Sequence, residues 1–254
     1  MSNDVPGAPA PELPPPANRL RGRRIVITGA ASGIGRTTAL LFAQEGASLA
    51  LFDRDASGLA LTARDTGGHP LEVDISNEDQ ISKAAESAST RLGGIDGIVN
   101  AAGIMPHGSV AETPVAVWRR TLDVNLTGTY LVIRSCLPWM VQESAATIVN
   151  IGSAAGLLPN APGLTAYAAS KGGVVNLGRA LAAELAPKIR VNTVCPGMVD
   201  TPMADGFRGN TQNYALKRMA DPWEIAQVIL FLTSAQSSYV TGAALAADGG
   251  RSFH

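Results

Sequence analysis

Short apolar runs rich in β-branched residues recur along the chain, and stretches with helical spacing separate them. Arg24–Thr28, Ser48–Phe52, Pro70–Val73, Ile95–Val99, Ala146–Ile151 and Ile189–Val194 each read as a short strand. Between them, Leu40, Leu41 and Ala43 form one helical stripe, and Val174, Leu177, Leu181 and Leu185 another. A third, Ile225, Val228, Ile229 and Leu232, follows the capped start Asp221-Pro222-Trp223-Glu224. Further helix starts are predicted at Ser76-Asn77-Glu78-Asp79 as a capping box, at Thr113-Pro114 with Thr as N-cap, and at Thr165. Strands alternating with helices predict an α/β fold, a single-domain doubly wound parallel sheet.

Residues 1–20 break this pattern. Pro6, Pro9, Pro11, Pro14, Pro15 and Pro16 occur with almost no large apolar side chain, so the segment reads as a disordered or polyproline II tail, of the kind that proline-binding modules also take. The domain is expected to span 21–254. A net charge of -1 without a basic run argues against a nucleic-acid or anionic-membrane surface and leaves a small molecule as the expected partner. Cys136 and Cys195 lie in apolar stretches and read as reduced core residues, which with the lack of a signal-peptide pattern makes the cytoplasm the expected location.

Chemistry enters at the strand ends. The first strand runs into Gly29-Ala30-Ala31-Ser32-Gly33-Ile34-Gly35, whose glycines permit a tight turn and close approach to a pyrophosphate before a helix N-terminus. Asp53 closes the second strand about twenty residues on, where a dinucleotide site places an acid on the ribose hydroxyls. That carboxylate repels a 2′-phosphate and favours NAD over NADP, with Arg54 beside it as the opposing feature. Asn100-Ala101-Ala102-Gly103 ends the fourth strand with side chains small enough for a nucleotide to pack against. Asn125, among Leu122, Val124 and Leu126, is either a satisfied core amide or part of a polar relay.

Ser153 stands just past the fifth strand, where ligands bind in open α/β sheets. Tyr167 and Lys171, four residues apart, share one helix face. An ammonium beside a phenol favours the phenolate, so the hydroxyl can exchange a proton while Ser153 holds a substrate oxygen.

Taken together, Thr28-Gly29, Gly33-Ile34-Gly35, Asn100-Ala-Ala-Gly103, Asn125, Ser153, Tyr167-x-x-x-Lys171 and Pro196-Gly197 resemble the short-chain dehydrogenase/reductase family from about Arg21 to the C-terminus. The resemblance implies seven parallel strands, an Asn125-Ser153-Tyr167-Lys171 tetrad and a homotetramer. It implies cofactor contacts from Gly29, Ser32, Gly33, Ile34, Gly35, Asp53, Asn100, Ala101, Gly103, Tyr167, Lys171, Pro196 and Gly197, with no metal. Asp74 and Ile75 would meet the adenine, Val199 and Thr201 the nicotinamide carboxamide, and Asn125 would help hold a water linking Lys171 to solvent. Lys171, with the charge of oxidised nicotinamide, would lower the Tyr167 pKa.

Met198, Met203, Phe207 and Tyr214, with Leu157 and Leu158, are candidates for an apolar substrate pocket, as well as for loop packing or a subunit contact; His107 is a further candidate. The expected substrate is a secondary alcohol, or its ketone, with apolar bulk. A 3-oxoacyl carrier-protein reductase is the alternative enzyme. Val141-Gln142-Glu143-Ser144-Ala145 lacks the basic residues an acidic carrier would need, although Arg119 and Arg120 could supply charge. A non-catalytic nucleotide sensor or scaffold is the alternative of another class, with the proline-rich tail as its support.

Overall fold

The computed structural model describes residues 15–140, 146–159, 162–206 and 211–252. Seven parallel strands, β1 (Arg24–Thr28), β2 (Ser48–Asp53), β3 (His69–Glu72), β4 (Gly97–Asn100), β5 (Ala146–Ile151), β6 (Ile189–Pro196) and β7 (Ala244–Ala247), form one sheet in the order β3-β2-β1-β4-β5-β6-β7. The helices are α1 (Gly33–Gln44), α2 (Ala56–Thr66), α3 (Glu78–Leu92), α4 (Val115–Leu122), α5 (Gly128–Cys136), α6 (Ala154–Leu157), α7 (Thr165–Leu185) and α8 (Pro222–Thr233).

The period of two within the strands divides the core. Val26, Ile98, Ile148 and Val191 face one way and pack with Ile81 of α3, Ile133 of α5 and Leu181 of α7. Ile25, Ile27, Val99, Val149 and Val194 face the other way, with Phe42 of α1, Leu59 of α2 and Ile229 of α8. Each side chain of β4 and β5 is buried, as expected of a parallel sheet covered on both faces. The strand order reverses between β1 and β4, which opens a crevice at the carboxyl ends of the strands.

The chain joins the domain earlier than residue 21. Leu20 is fully buried, and the backbone N–H groups of Ala17 and Arg19 donate to the Glu45 carboxylate, which also pairs with the Arg19 guanidinium at 2.6 Å. The proline-rich stretch through residue 14 lies outside the described residues.

Helix starts depart from expectation in three places. Pro114 rather than Thr113 is the N-cap of α4, since Pro114 is itself extended with ψ 147°, and the Thr113 hydroxyl donates to Ser109 O. Leu164 precedes α7, leaving Thr165 inside the first turn. At α3 the cap is Asn77, accepting from Gln80 N at 3.1 Å, while the Gln80 side chain turns back to Asp74 N. The α8 capping box of Asp221 and Glu224 forms as read.

Candidate active site

A cavity of about 510 Å³ occupies the crevice, large enough for a small organic ligand. Gly29, Ser32, Gly33, Ile34, Gly35, Asp53, Asp74, Ile75, Ala101, Gly103, Ser153, Tyr167, Lys171, Pro196, Gly197, Val199 and Thr201 all reach its wall. Topology explains the gathering, because these residues follow the carboxyl ends of neighbouring strands.

The glycine loop fits a dinucleotide's phosphates. A β-carbon on Gly35 would stand 2.1 Å from the Gly29 carbonyl oxygen, so only glycine lets α1 begin this close to β1. Ser32, the N-cap of α1, makes no side-chain capping bond, and with Gly33, Ile34 and Gly35 it lines the cavity, so this helix start could take an anion. The Asp53 carboxylate is pinned by N–H groups of Ala31 at 2.9 Å and Asp55 at 3.0 Å, and keeps acceptor capacity for ribose hydroxyls. Burial raises the Asp74 pKa, but hydrogen bonds from Ser76 and the Arg120 guanidinium outweigh it, and the carboxyl is held at about 2.

Ser153, at the β5 end, is the N-cap of α6 and accepts from Ala155 N at 3.1 Å. Gly156 brings α6 against α7, where a β-carbon would lie 2.7 Å from the Lys171 carbonyl carbon. That approach sets Ser153 and Tyr167 on the same cavity wall. The Lys171 ammonium lies 5.8 Å from the Tyr167 ring centroid and donates to Ile151 O at 2.7 Å. Burial lowers its pKa to about 8.

Contrary to the reading from spacing alone, burial pushes the Tyr167 pKa up; the Ser153 hydrogen bond opposes it. Removal from water penalises the phenolate more than the neighbouring groups support it.

Two predicted residues lie behind the wall. Asn100 donates its amide to Asn150 Oδ1 at 2.9 Å, because the β4–β5 register sets the two side by side inside the sheet. Asn125, fully buried, sits on a π-helical turn (Asp123–Thr127) between α4 and α5. Its amide accepts from Ile104 N and donates to Ile104 O and Ser170 Oγ, and its carbonyl accepts from Thr129 Oγ1. Asn125 therefore ties the strand-end loop to α7. A β-carbon on Gly103 would lie 3.2 Å from Asn125 Oδ1 and 3.4 Å from Lys171 Nζ, so the two side chains do converge.

Met198, Met203, Tyr214 and His107 reach the wall; Leu157 and Leu158 do not. Phe207 and Val141–Ala145 lie outside the described residues. Sequence reading missed Ile104, Met105, Asn213 and Arg251, which also line the cavity. The Asp248-Gly249-Gly250 turn marks a bend before Arg251, but no sequence signal gives its direction.

A family model described as enoyl-(acyl carrier protein) reductase matches residues 29–252. A solved structure described as short-chain dehydrogenase/reductase SDR:glucose/ribitol dehydrogenase, from Brucella melitensis, superposes with a TM-score of 0.87 at 38% identity, covering 92% of this chain and 98% of that one. The chain belongs to the short-chain dehydrogenase/reductase family. Among its relatives, a 3-oxoacyl-[acyl-carrier-protein] reductase from Thermotoga maritima is 41% identical, over 91% of this chain and 98% of its own length. A trans-4-hydroxycyclohexanecarboxylate dehydrogenase from Sinomonas cyclohexanicum is 38% identical, over 92% of this chain and 94% of its own. The protein is thus an oxidoreductase of the short-chain dehydrogenase/reductase type, a family that uses a nicotinamide cofactor. Among the described residues no helix is long and apolar enough to cross a membrane.

Proposed function

We propose that the protein is an NAD-dependent dehydrogenase interconverting a secondary alcohol with apolar bulk and its ketone. The observation that carries this reading is that Ser153, Tyr167 and Lys171 share one cavity wall with an uncapped helix N-terminus behind a glycine loop. The bound nicotinamide supplies the hydride acceptor or donor. Ser153 holds the substrate oxygen by hydrogen bonding, and Tyr167 takes its proton in oxidation or returns one in reduction. Lys171 steadies the phenolate and binds ribose hydroxyls, while Asn125 positions α7 and the Ile104 loop around it.

In this reading Gly29, Ser32, Gly33, Ile34 and Gly35 hold the pyrophosphate, with Ala101 and Gly103 against the nucleotide. Asp53 binds the adenosine ribose and disfavours a 2′-phosphate. Asp74 and Ile75 flank the adenine, and Pro196, Gly197, Val199 and Thr201 the nicotinamide. Met198, Met203 and Tyr214 give the apolar side of the substrate space, in keeping with a relative whose name specifies a hydroxycyclohexane ring. A homotetramer is expected, with a mass in solution of about four times the 26.2 kDa of one chain.

Tyr167→Phe tests the mechanism. Turnover is expected to fall by about 10²–10⁴-fold while NADH still binds. Retained turnover would remove Tyr167 from the proton transfer, and a physiological function that survives its loss would favour the sensor.

The Thermotoga relative favours a second reading, reduction of a 3-oxoacyl group on a carrier protein. Arg120 is engaged with Asp74 and Ser76 rather than presented to a carrier. Faster reduction of an acetoacetyl thioester on acyl carrier protein than of a cyclic ketone would select this second reading.

A further inference from the structure

The β3 end of the cavity carries a closed set of hydrogen bonds that the reaction does not use. Strand order says what reaches it: the glycine loop follows β1 and Asp53 closes β2, so a dinucleotide with its phosphates and ribose there extends its base to the end of β3. Asp74, Ile75 and Arg120 line the wall at that end.

Asp74 is restrained from three directions. Gln80 Oε1, on α3, accepts from its backbone N–H at 2.9 Å. Its Oδ1 accepts from Ser76 N at 2.9 Å and from Ser76 Oγ at 2.7 Å, which uses both lone pairs of that oxygen. Its Oδ2 accepts from Arg120 Nη2 at 3.0 Å, and Arg120 Nη1 donates to Ser76 Oγ at 2.5 Å, so the three side chains close a triad. The Ser76 bonds are local and hold one oxygen only. Arg120 arrives on α4, 46 residues along the chain from Asp74, and fixes where the other oxygen stands.

That oxygen is open to a ligand, since the Asp74 side chain is 33% exposed. Held ionised, the carboxylate accepts and cannot donate, so the second lone pair of Oδ2 suits an N–H on the base and repels a carbonyl oxygen.

We propose that Arg120 is the positioning residue for base recognition: by fixing Asp74 Oδ2 it makes this end of the cavity select a purine bearing an exocyclic amino group over one bearing a carbonyl oxygen in its place. The inference rests on the dinucleotide site of the dehydrogenase reading and adds the residue that sets its base selectivity.

The test is the ratio of Kd values for NADH and reduced nicotinamide hypoxanthine dinucleotide, whose base carries the carbonyl oxygen, titrated by fluorescence against wild type, Arg120→Met, Arg120→Lys and Ser76→Ala. Wild type is expected to bind NADH more tightly by about tenfold, the worth of one charge-assisted hydrogen bond. Arg120→Met should bring the two affinities within about twofold of each other by weakening NADH alone, Arg120→Lys should restore part of the difference, and Ser76→Ala should narrow it by less. Equal weakening of both dinucleotides in Arg120→Met overturns the proposal, because it marks a structural role or a direct contact of Arg120 with the ligand. If Arg120→Met does not fold, an unchanged ratio in Ser76→Ala overturns it instead, and so does a wild type that does not discriminate. These results leave the dehydrogenase reading standing, because the ratio requires no turnover. Failure of wild type to bind either dinucleotide would overturn both.

Discussion

At the β2–β3 end of the cavity the wall is made of backbone in close contact and carboxylates held by hydrogen bonds, whereas beyond β6 it is made of methionines, a tyrosine and an arginine carried by loops. Gly35 has no room for a β-carbon, and Asp53 and Asp74 each accept more than one hydrogen bond from the surrounding chain. Met198 and Met203 have flexible, unbranched side chains that adapt to what they contact. The first end suits a ligand that never changes, and the second a ligand that distinguishes one member of the family from another.

Equal-sized changes at the two ends should then have unequal effects. Gly35→Ala is expected to weaken NADH binding by about a hundredfold or more, since the added carbon must displace the Gly29 peptide, while Met203→Ala should change KM for the alcohol by less than about tenfold. Titration of NADH fluorescence and initial rates measure the pair, and similar effects from both changes would erase the distinction.

Asp53→Asn sharpens it within the rigid end. Removing the charge that repels a 2′-phosphate should lower the NAD-to-NADP ratio of kcat/KM by about tenfold. A ratio that does not move would shift the selectivity to another residue, Arg54 first.

A pH profile addresses the centre, between the two ends. Burial raises the Tyr167 pKa, so the ionised base is scarce at neutrality, and alcohol oxidation should become faster as pH rises from about 7 to 9. Ketone reduction should slow over the same range, since it needs the protonated phenol. Burial lowers Lys171 to about 8, inside that window, so the limb belongs to the pair rather than to either residue. Lys171→Met should move the oxidation limb to higher pH, and a flat profile in the wild type would deny the phenol its role.

Much of this could be read in the sequence because its constraints are local. The glycine loop, Asp53, Ser153 and the Tyr167–Lys171 pair are each specified by a spacing or by a strand end, so their placement follows once the strands are found. The bond of Asn100 to Asn150 is not legible, because it is set by the β4–β5 register. The reach of Asn125 to Ile104 and Ser170 depends on a π-helical turn that its apolar neighbours do not announce. The early start of the domain was hidden because Leu20 is a single apolar residue and the Arg19–Glu45 pair spans distant parts of the chain. Arg251 reaches the cavity only because β7 lies beside β6, a juxtaposition that no spacing near the C-terminus encodes.

On the proposed reading this cavity oxidises a secondary alcohol with NAD. Its most direct test is the rate of NADH formation by the wild-type protein across secondary alcohols of graded size, with NADP in parallel. Turnover with NAD that improves as apolar bulk fills the Met198–Met203 wall is the predicted result. Bound dinucleotide without reduction of NAD by any secondary alcohol would contradict it.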